Sequence, residues 1–422
     1  MFRCKHLAAL ALLLLSGAAA AQTTPAELAA HPERSAGIYH SYDYVPADPA
    51  PVPAGYEPFY ISHYGRHGSR YLSSESAYEE PLDLLRRAAA ADALTPRGRR
   101  LLGEVEAIAA DAAGRYGDLS PRGVAEHRAI AERMYAAYPQ VFSTDGRECL
   151  VESRSTLVPR CILSMAAFDE RLKEIDPAIR TTREASRRYL GYLANGVALD
   201  SLYRPASAVA DSLLRVRLEP ARLLGEIFSD PQFVRREVRD PHRTAERLFQ
   251  LAGIMQDIDY LGISLYDLFT DEELYALWEV ENVRRYLTMG PSERFGDPVV
   301  AAAEPLLRNI VETADEVIRG ERALCASLRF GHDVYITPLL ALIGVEGASA
   351  RVRPVDDVAA VWNVQQVSPM AANLQLIFFR NSSTGDVRVR VLHNERDARL
   401  PVAGGPYYPW ETLRAYFENL YR

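Results

Sequence analysis

The heptad Tyr64-Gly65-Arg66-His67-Gly68-Ser69-Arg70 sets one histidine between two arginines, directly after the apolar run Phe59, Tyr60 and Ile61. Guanidinium groups carry a permanent charge and a rigid fork of donors, so two of them can hold the non-bridging oxygens of a phosphoryl group in pairs. A neutral imidazole between them can attack phosphorus with one nitrogen while a hydrogen bond fixes the other. Gly68, lacking Cβ, would let backbone approach a bound anion closely. The competing reading is chance. Lysine occurs only at Lys5 and Lys173, so 46 of the 48 basic residues are arginine, and Arg-x-x-x-Arg spacings arise without function.

A second segment, Phe330-Gly331-His332-Asp333, follows the apolar positions Ala323, Leu324 and Leu328 and precedes a helical pattern through Tyr335, Leu339, Leu340 and Leu342. Asp333 therefore falls at a strand-to-helix junction. A carboxylic acid there can protonate a departing alkoxide and then take a proton from the attacking water. His332 adds a donor for phosphate. An aspartate at a helix start is also an ordinary N-cap, and the dipeptide alone does not choose between these roles.

These segments need elements to carry them. Strand candidates lie at Phe59 to Tyr64, Glu148 to Ser153, Leu324 to Phe330, Leu374 to Arg380 and Val387 to Leu392. Open α/β sheets bind ligands just beyond their strand ends. Residues 177–295 read as nearly all helix, with apolar spacing in Leu213 to Ile227, Ala245 to Ile258 and Leu265 to Leu287. Thr95-Pro96 and Ser120-Pro121 each place a capping side chain before a proline in the first turn. The expected architecture is an α/β core sheet with flanking helices, built from residues 23–176 and 296–422, plus an inserted, mostly helical cap domain at 177–295.

The two segments and their surroundings resemble the histidine acid phosphatases, the second branch of the histidine phosphatase superfamily, which includes phytases and multiple inositol polyphosphate phosphatases. Arg66-His67-Gly68-Ser69-Arg70 is similar to the family's Arg-His-Gly-x-Arg-x-Pro, and His332-Asp333 to its His-Asp dipeptide. Asp118-Leu119-Ser120-Pro121-Arg122-Gly123 resembles its leucine-threonine-x-x-glycine helix start. Ser155-Thr156, Arg160 and Ser164-Met165-Ala166-Ala167-Phe168 resemble the stretch that supplies a third phosphate arginine, and Pro369 to Leu374 and Leu392 to Glu395 resemble later family segments. The resemblance implies a histidine-phosphatase-like fold, His67 as nucleophile, Asp333 as proton donor, and Arg66, Arg70, Arg160 and His332 around the phosphate. It further implies a phosphomonoesterase working through a phosphohistidine on a small-molecule phosphate ester, with inositol polyphosphates such as phytate expected. A general acid or sugar-phosphate phosphatase is the alternative, and a non-catalytic phospho-ligand binding protein the alternative from another class. The chain departs from the pattern at Leu72, where the family has proline, and in carrying His-Asp where the multiple inositol polyphosphate type carries His-Ala-Glu.

Residues 1–22 combine a basic start (Arg3, Lys5), an apolar core from Leu7 to Leu15 and small residues before Gln22, the pattern of a cleavable secretory signal. An exported protein, periplasmic or secreted, is expected, with no later run approaching the ~20 apolar residues of a membrane span. Beyond the signal, three cysteines remain. Cys149 and Cys161 are near enough in sequence to pair, and free buried thiols are the other reading. A formal charge of −8 does not favour nucleic acid, so an anionic substrate must be drawn by a local pocket. The clusters Arg97, Arg99 and Arg100; Arg235-Arg236, Arg239 and Arg243; and Arg284-Arg285 are by default solvated helix faces, and one overhanging the pocket would point to a substrate with several phosphates. No Walker A motif, dinucleotide fingerprint, Gly-x-Ser-x-Gly elbow or spaced metal-ligand set is present, and neither cofactor nor metal is expected.

Overall fold

The computed structural model describes residues 23–143, 149–194 and 200–421. The signal-like segment at 1–22 lies outside the described residues. Eight strands form one sheet: β1 (Tyr56–Arg66), β2 (Leu150–Ser155), β3 (Arg180–Ala185), β4 (Ala326–Gly331), β5 (Asn373–Asn381), β6 (Val387–His393), β7 (Arg396–Asp397) and β8 (Tyr407–Pro409). The order is β3-β2-β4-β1-β5-β6-β7, with β8 also on β6. The β3-β2-β4-β1 half is parallel, and β5 and β6 continue it antiparallel.

Strands β1 and β4 lie in the middle of this sheet with both faces covered, so even their polar residues Ser62, His63, Ser327 and Arg329 are buried. All of β4 is buried, as is β1 from Tyr60 onward. Alternation divides their side chains: Tyr60 and Tyr64 join one core with Phe378, Leu339 and Trp410, whereas Ile61 joins another with Ile130, Phe168 and Leu328. The second face is covered by α1 (Pro121–Ala137) and α2 (Pro159–Ile175), whose buried residues include Ile130, Met134, Phe168 and Leu172. The expected prolines open helices: the Ser120 side chain accepts the Gly123 N–H, and the Thr95 side chain accepts that of Gly98 at the start of the helix Pro96–Ala112.

Helices α3 (Asp200–Arg217), α4 (Pro241–Gly253) and α5 (Asp271–Met289) dominate the stretch between β3 and β4. Two features of this region differ from the expected organisation. Strand β3 lies inside the segment read as helix; its sequence RTTREA is charged because it sits at the sheet edge, largely exposed, so it gives no apolar signal. The helical layer also takes in Leu85, Leu94, Leu101 and Val105 from residues ahead of β2, in one core with Leu214, Leu248 and Leu277. These helices thus pack on the first third of the chain as well as on one another. Among the described residues no helix is long and apolar enough to cross a membrane.

The cysteines pair differently from the nearest-neighbour option. Cys149 is bonded to Cys325, and Cys161 is free and buried. Each half-cystine directly precedes its strand, β2 or β4, and these strands are neighbours, so residues 176 apart in sequence stand with Cα atoms 5.3 Å apart. Cys161 lies on α2, past the other end of β2. The expected effect of Cys325→Ser is a loss of about 2–4 kcal/mol of stability, read as a lowered melting temperature under non-reducing conditions. An unchanged transition would show that the bridge does not constrain the chain.

Candidate active site

Parallel pairing of β1 with β4 sets Arg66 opposite Gly331, so His67 and His332 follow the ends of adjacent strands on one rim of the sheet. Their rings stand 5.5 Å apart between centroids. The next strand over, β2, ends at Ser155 opposite Phe330 and leads through Thr156 into α2, which carries Arg160 in its first turn. The structure therefore brings Arg66, His67, Arg70, Arg160, His332 and Asp333 to one place. Asp333 opens α6 (Asp333–Leu342): its Oδ1 accepts the Val334 N–H at 3.0 Å, and its Oδ2 lies 3.6 Å from Arg66 Nη2. It is thus both a first-turn helix anion and a member of the cluster.

The buried imidazole of His67 has a defined tautomer. Its Nδ1 lies 2.9 Å from the carbonyl oxygen of Gly68, which can only accept, so Nδ1 carries the hydrogen and Nε2 keeps its lone pair. Burial, followed by the charges of Arg66, Arg70 and Arg160, pushes the His67 pKa well below the usual histidine value, which favours the neutral ring. The same forces bring His332 down to about 4. Its Nε2 is 3.2 Å from Thr156 Oγ1, and the Cys161 thiol, raised to about 11 by burial, points at the Gly331 carbonyl.

Arg66 is wholly buried. Its Nη1 donates to the carbonyls of Ile38 and Ser368, both at 2.8 Å, while Nε and Nη2 have no hydrogen-bond acceptor in the protein. The buried Nε atoms of Arg70 and Arg160 are likewise without acceptor. Buried donors of this kind are costly unless an anion meets them. For the Asp333 carboxyl, burial pushes the pKa up, but facing positive charge, Arg66 first and Arg285 next, outweighs it and brings the group down to about 2. In the ligand-free site Asp333 is therefore ionised.

Several supporting residues are absent from the sequence reading. The N–H and Oγ of Ser69 both donate to the buried Glu126 carboxylate of α1, at 2.7 and 2.8 Å. Ser41 Oγ meets Ser69 Oγ at 3.0 Å and donates to Asp257 Oδ1 at 2.9 Å. Burial raises the pKa of both acids. Glu126 lies one helical turn past Gly123 and could have been found from that spacing, whereas Asp257 and Ser41 carry no local signal. Ser69 is consumed by this network, and His63 and His127 pack against Phe330 at 5.4 and 5.7 Å, both held neutral by burial. Of the arginine clusters, Arg97 and Arg100 pair with Asp267, and Arg99 with Asp92. Arg284 and Arg285 instead face a cavity beside the site.

Gly68 is required for a reason other than the expected one. A Cβ there would stand 2.5 Å from the Gly123 carbonyl oxygen, and one on Gly123 only 2.3 Å from that of Ser69. The two glycines let the motif loop lie flat on the first turn of α1. Leu72, the departure from proline, donates its N–H to the Tyr78 hydroxyl at 2.7 Å, a bond closed to proline. Gly68→Ala is expected to cost about 1–3 kcal/mol through overpacking and to lower the melting temperature measured by calorimetry. A variant melting like the parent would mean that the loop can lift off α1 freely.

Residues 256–394 match the family model described as "Histidine phosphatase superfamily (branch 2)", a span that includes His332 and Asp333. A search of the curated proteins gives no match. Among solved structures, the chain is similar to the multiple inositol polyphosphate phosphatase of Bifidobacterium longum in complex with inositol hexasulfate, at 18% identity and a TM-score of 0.72 over 90% of this chain and 97% of that one. It is also similar to the phytase from D. castellii (13% identity, TM-score 0.69, covering 92% and 85%) and to the apo phytase of Hafnia alvei (13%, 0.55, covering 88% and 98%). These likenesses establish a shared fold across most of the chain, and the stretch 256–394 is similar to branch 2 of the histidine phosphatase superfamily.

Proposed function

We propose that the chain is an exported phosphomonoesterase that hydrolyses inositol polyphosphates through a phosphohistidine at His67. The observation that carries this reading is the meeting of one neutral, tautomer-fixed imidazole with three arginines whose buried nitrogens lack acceptors, beside the Asp333 carboxylate. Arg66, Arg70, Arg160 and His332 hold the phosphoryl oxygens. The Nε2 lone pair of His67 attacks phosphorus, the P–O ester bond breaks, and the departing alkoxide takes a proton from Asp333. Water then attacks the P–N bond, giving its proton to Asp333 and releasing phosphate and the neutral imidazole. A binding protein would need the arginines but neither the free Nε2 nor the acid.

The low pKa of Asp333 defines how its proton arrives. With the carboxyl ionised down to about pH 2 in the free enzyme, the required proton must enter with the substrate monoanion, and the negative charge of that ligand then favours its transfer to Asp333. Phosphate esters lose this proton near pH 6, so kcat/KM falls as pH rises beyond about 6. Export is supported by the signal-like residues 1–22 and by the Cys149–Cys325 bridge, which suits an oxidising compartment. The inositol class is supported by the inositol hexasulfate bound to the B. longum enzyme and by a strongly polar cavity beside the site.

Rapid-quench trapping with an aryl phosphate is expected to yield a phosphoenzyme in the parent and none in His67→Ala, with turnover lowered by at least about 1,000-fold. Asp333→Asn is expected to slow inositol phosphates far more than aryl phosphates, whose leaving groups need little protonation. Equal slowing of both would remove Asp333 from the donor role, and a pH profile rising through neutrality would contradict delivery of the proton by the substrate.

A further inference from the structure

A cavity of about 510 Å3 opens beside the site, walled by α3, α4 and α5. Tyr39 and Arg285 connect the two: the Arg70 guanidinium lies 5.4 Å from the Tyr39 ring centre, and the Arg285 charge acts on both Asp333 and Arg66. The cavity therefore adjoins the space in front of His67.

The arginines of the cavity differ from those of the site in one respect. Whereas Arg66, Arg70 and Arg160 keep buried nitrogens without acceptors, the cavity arginines are already paired with carboxylates, all but one of which face the same space. Arg284 binds Asp211 at 2.8 Å and Glu246 at 2.7 Å, and Glu246 also binds Arg243. Arg285 binds Glu281 at 2.6 Å, and Arg215 binds Asp240 at 2.7 Å. Arg247, the remaining arginine of the lining, is held by Glu80 at 3.2 Å. The wall is strongly polar but close to neutral, and hydroxyls from Ser73, Ser74 and Tyr203 complete it.

We propose that this cavity selects inositol phosphates bearing free hydroxyls over the fully phosphorylated ring. The proposal rests on the phosphomonoesterase reading above and narrows its substrate. A hydroxyl can donate to Asp211, Glu246 or Glu281 and accept from the arginine beside it, so a polyol fits the existing pairs without breaking them. A further phosphate in the same place must displace a carboxylate from its arginine and then lie next to that carboxylate's charge. Each phosphate beyond the one at His67 is thus opposed by an acid fixed in the wall.

The test compares kcat/KM for inositol hexakisphosphate and an inositol trisphosphate, with an aryl phosphate as reference, in the parent enzyme and in Asp211→Asn and Asp211→Ala. The Asp211 side chain is 58% exposed, so its replacement spares the core. The parent is expected to favour the trisphosphate, and both variants to raise the hexakisphosphate-to-trisphosphate ratio about fivefold, the scale of one partly exposed charge. A parent that favours hexakisphosphate, or a ratio unmoved in both variants, overturns the selectivity while leaving the phosphatase reading intact. Failure of the parent to hydrolyse the aryl phosphate overturns both.

Discussion

The side-by-side, same-direction pairing of β1 and β4 is the constraint on which the rest of the molecule depends. Because Arg66 stands opposite Gly331, two motifs separated by most of the chain leave the sheet at the same height, one turning into the loop that carries His67 and the other into the helix headed by Asp333. A slip of one residue would reverse which face each side chain takes. The register is secured by burial, since Tyr60, Tyr64 and Ile61 lie in cores on opposite faces.

Around that pairing, the structure fixes charge in two different ways. Within the site, buried arginines are held by backbone carbonyls on one side and left open on the other, as Arg66 is between Ile38, Ser368 and the Asp333 carboxylate. Just outside it, arginines are neutralised by neighbouring acids. Open and neutralised arginines are thereby kept in adjacent but separate places. Arginines with open buried nitrogens thus gather around His67, although the chain as a whole is acidic.

Much of this was legible in the sequence because the signals are local. Arg66, His67, Arg70, His332 and Asp333 sit at strand ends marked by apolar runs, and the five expected strands all occur, though Glu148, the start assigned to the second, lies outside the described residues. What was hidden depends on distant contacts. The charged strand β3 is recognisable only as the edge of a sheet, and the partner of Cys149 only from the adjacency of β2 and β4. The close approach of Gly68 to Gly123 likewise carries no local signal. Asp257 and Ser41 support Ser69 from segments far removed in sequence, and no spacing rule links them.

The position of the disulfide has a consequence of its own. Cys149 and Cys325 stand at the starts of β2 and β4, and the reactive groups lie past the other ends of those strands, about 20 Å away at the usual rise per residue. Covalent fastening is thus placed on the floor of the sheet, and the opposite rim is left to the loops that carry His67 and Asp333. A change in the upper loops leaves the tie below in place, and loss of the tie acts on strand starts remote from His67 and Asp333.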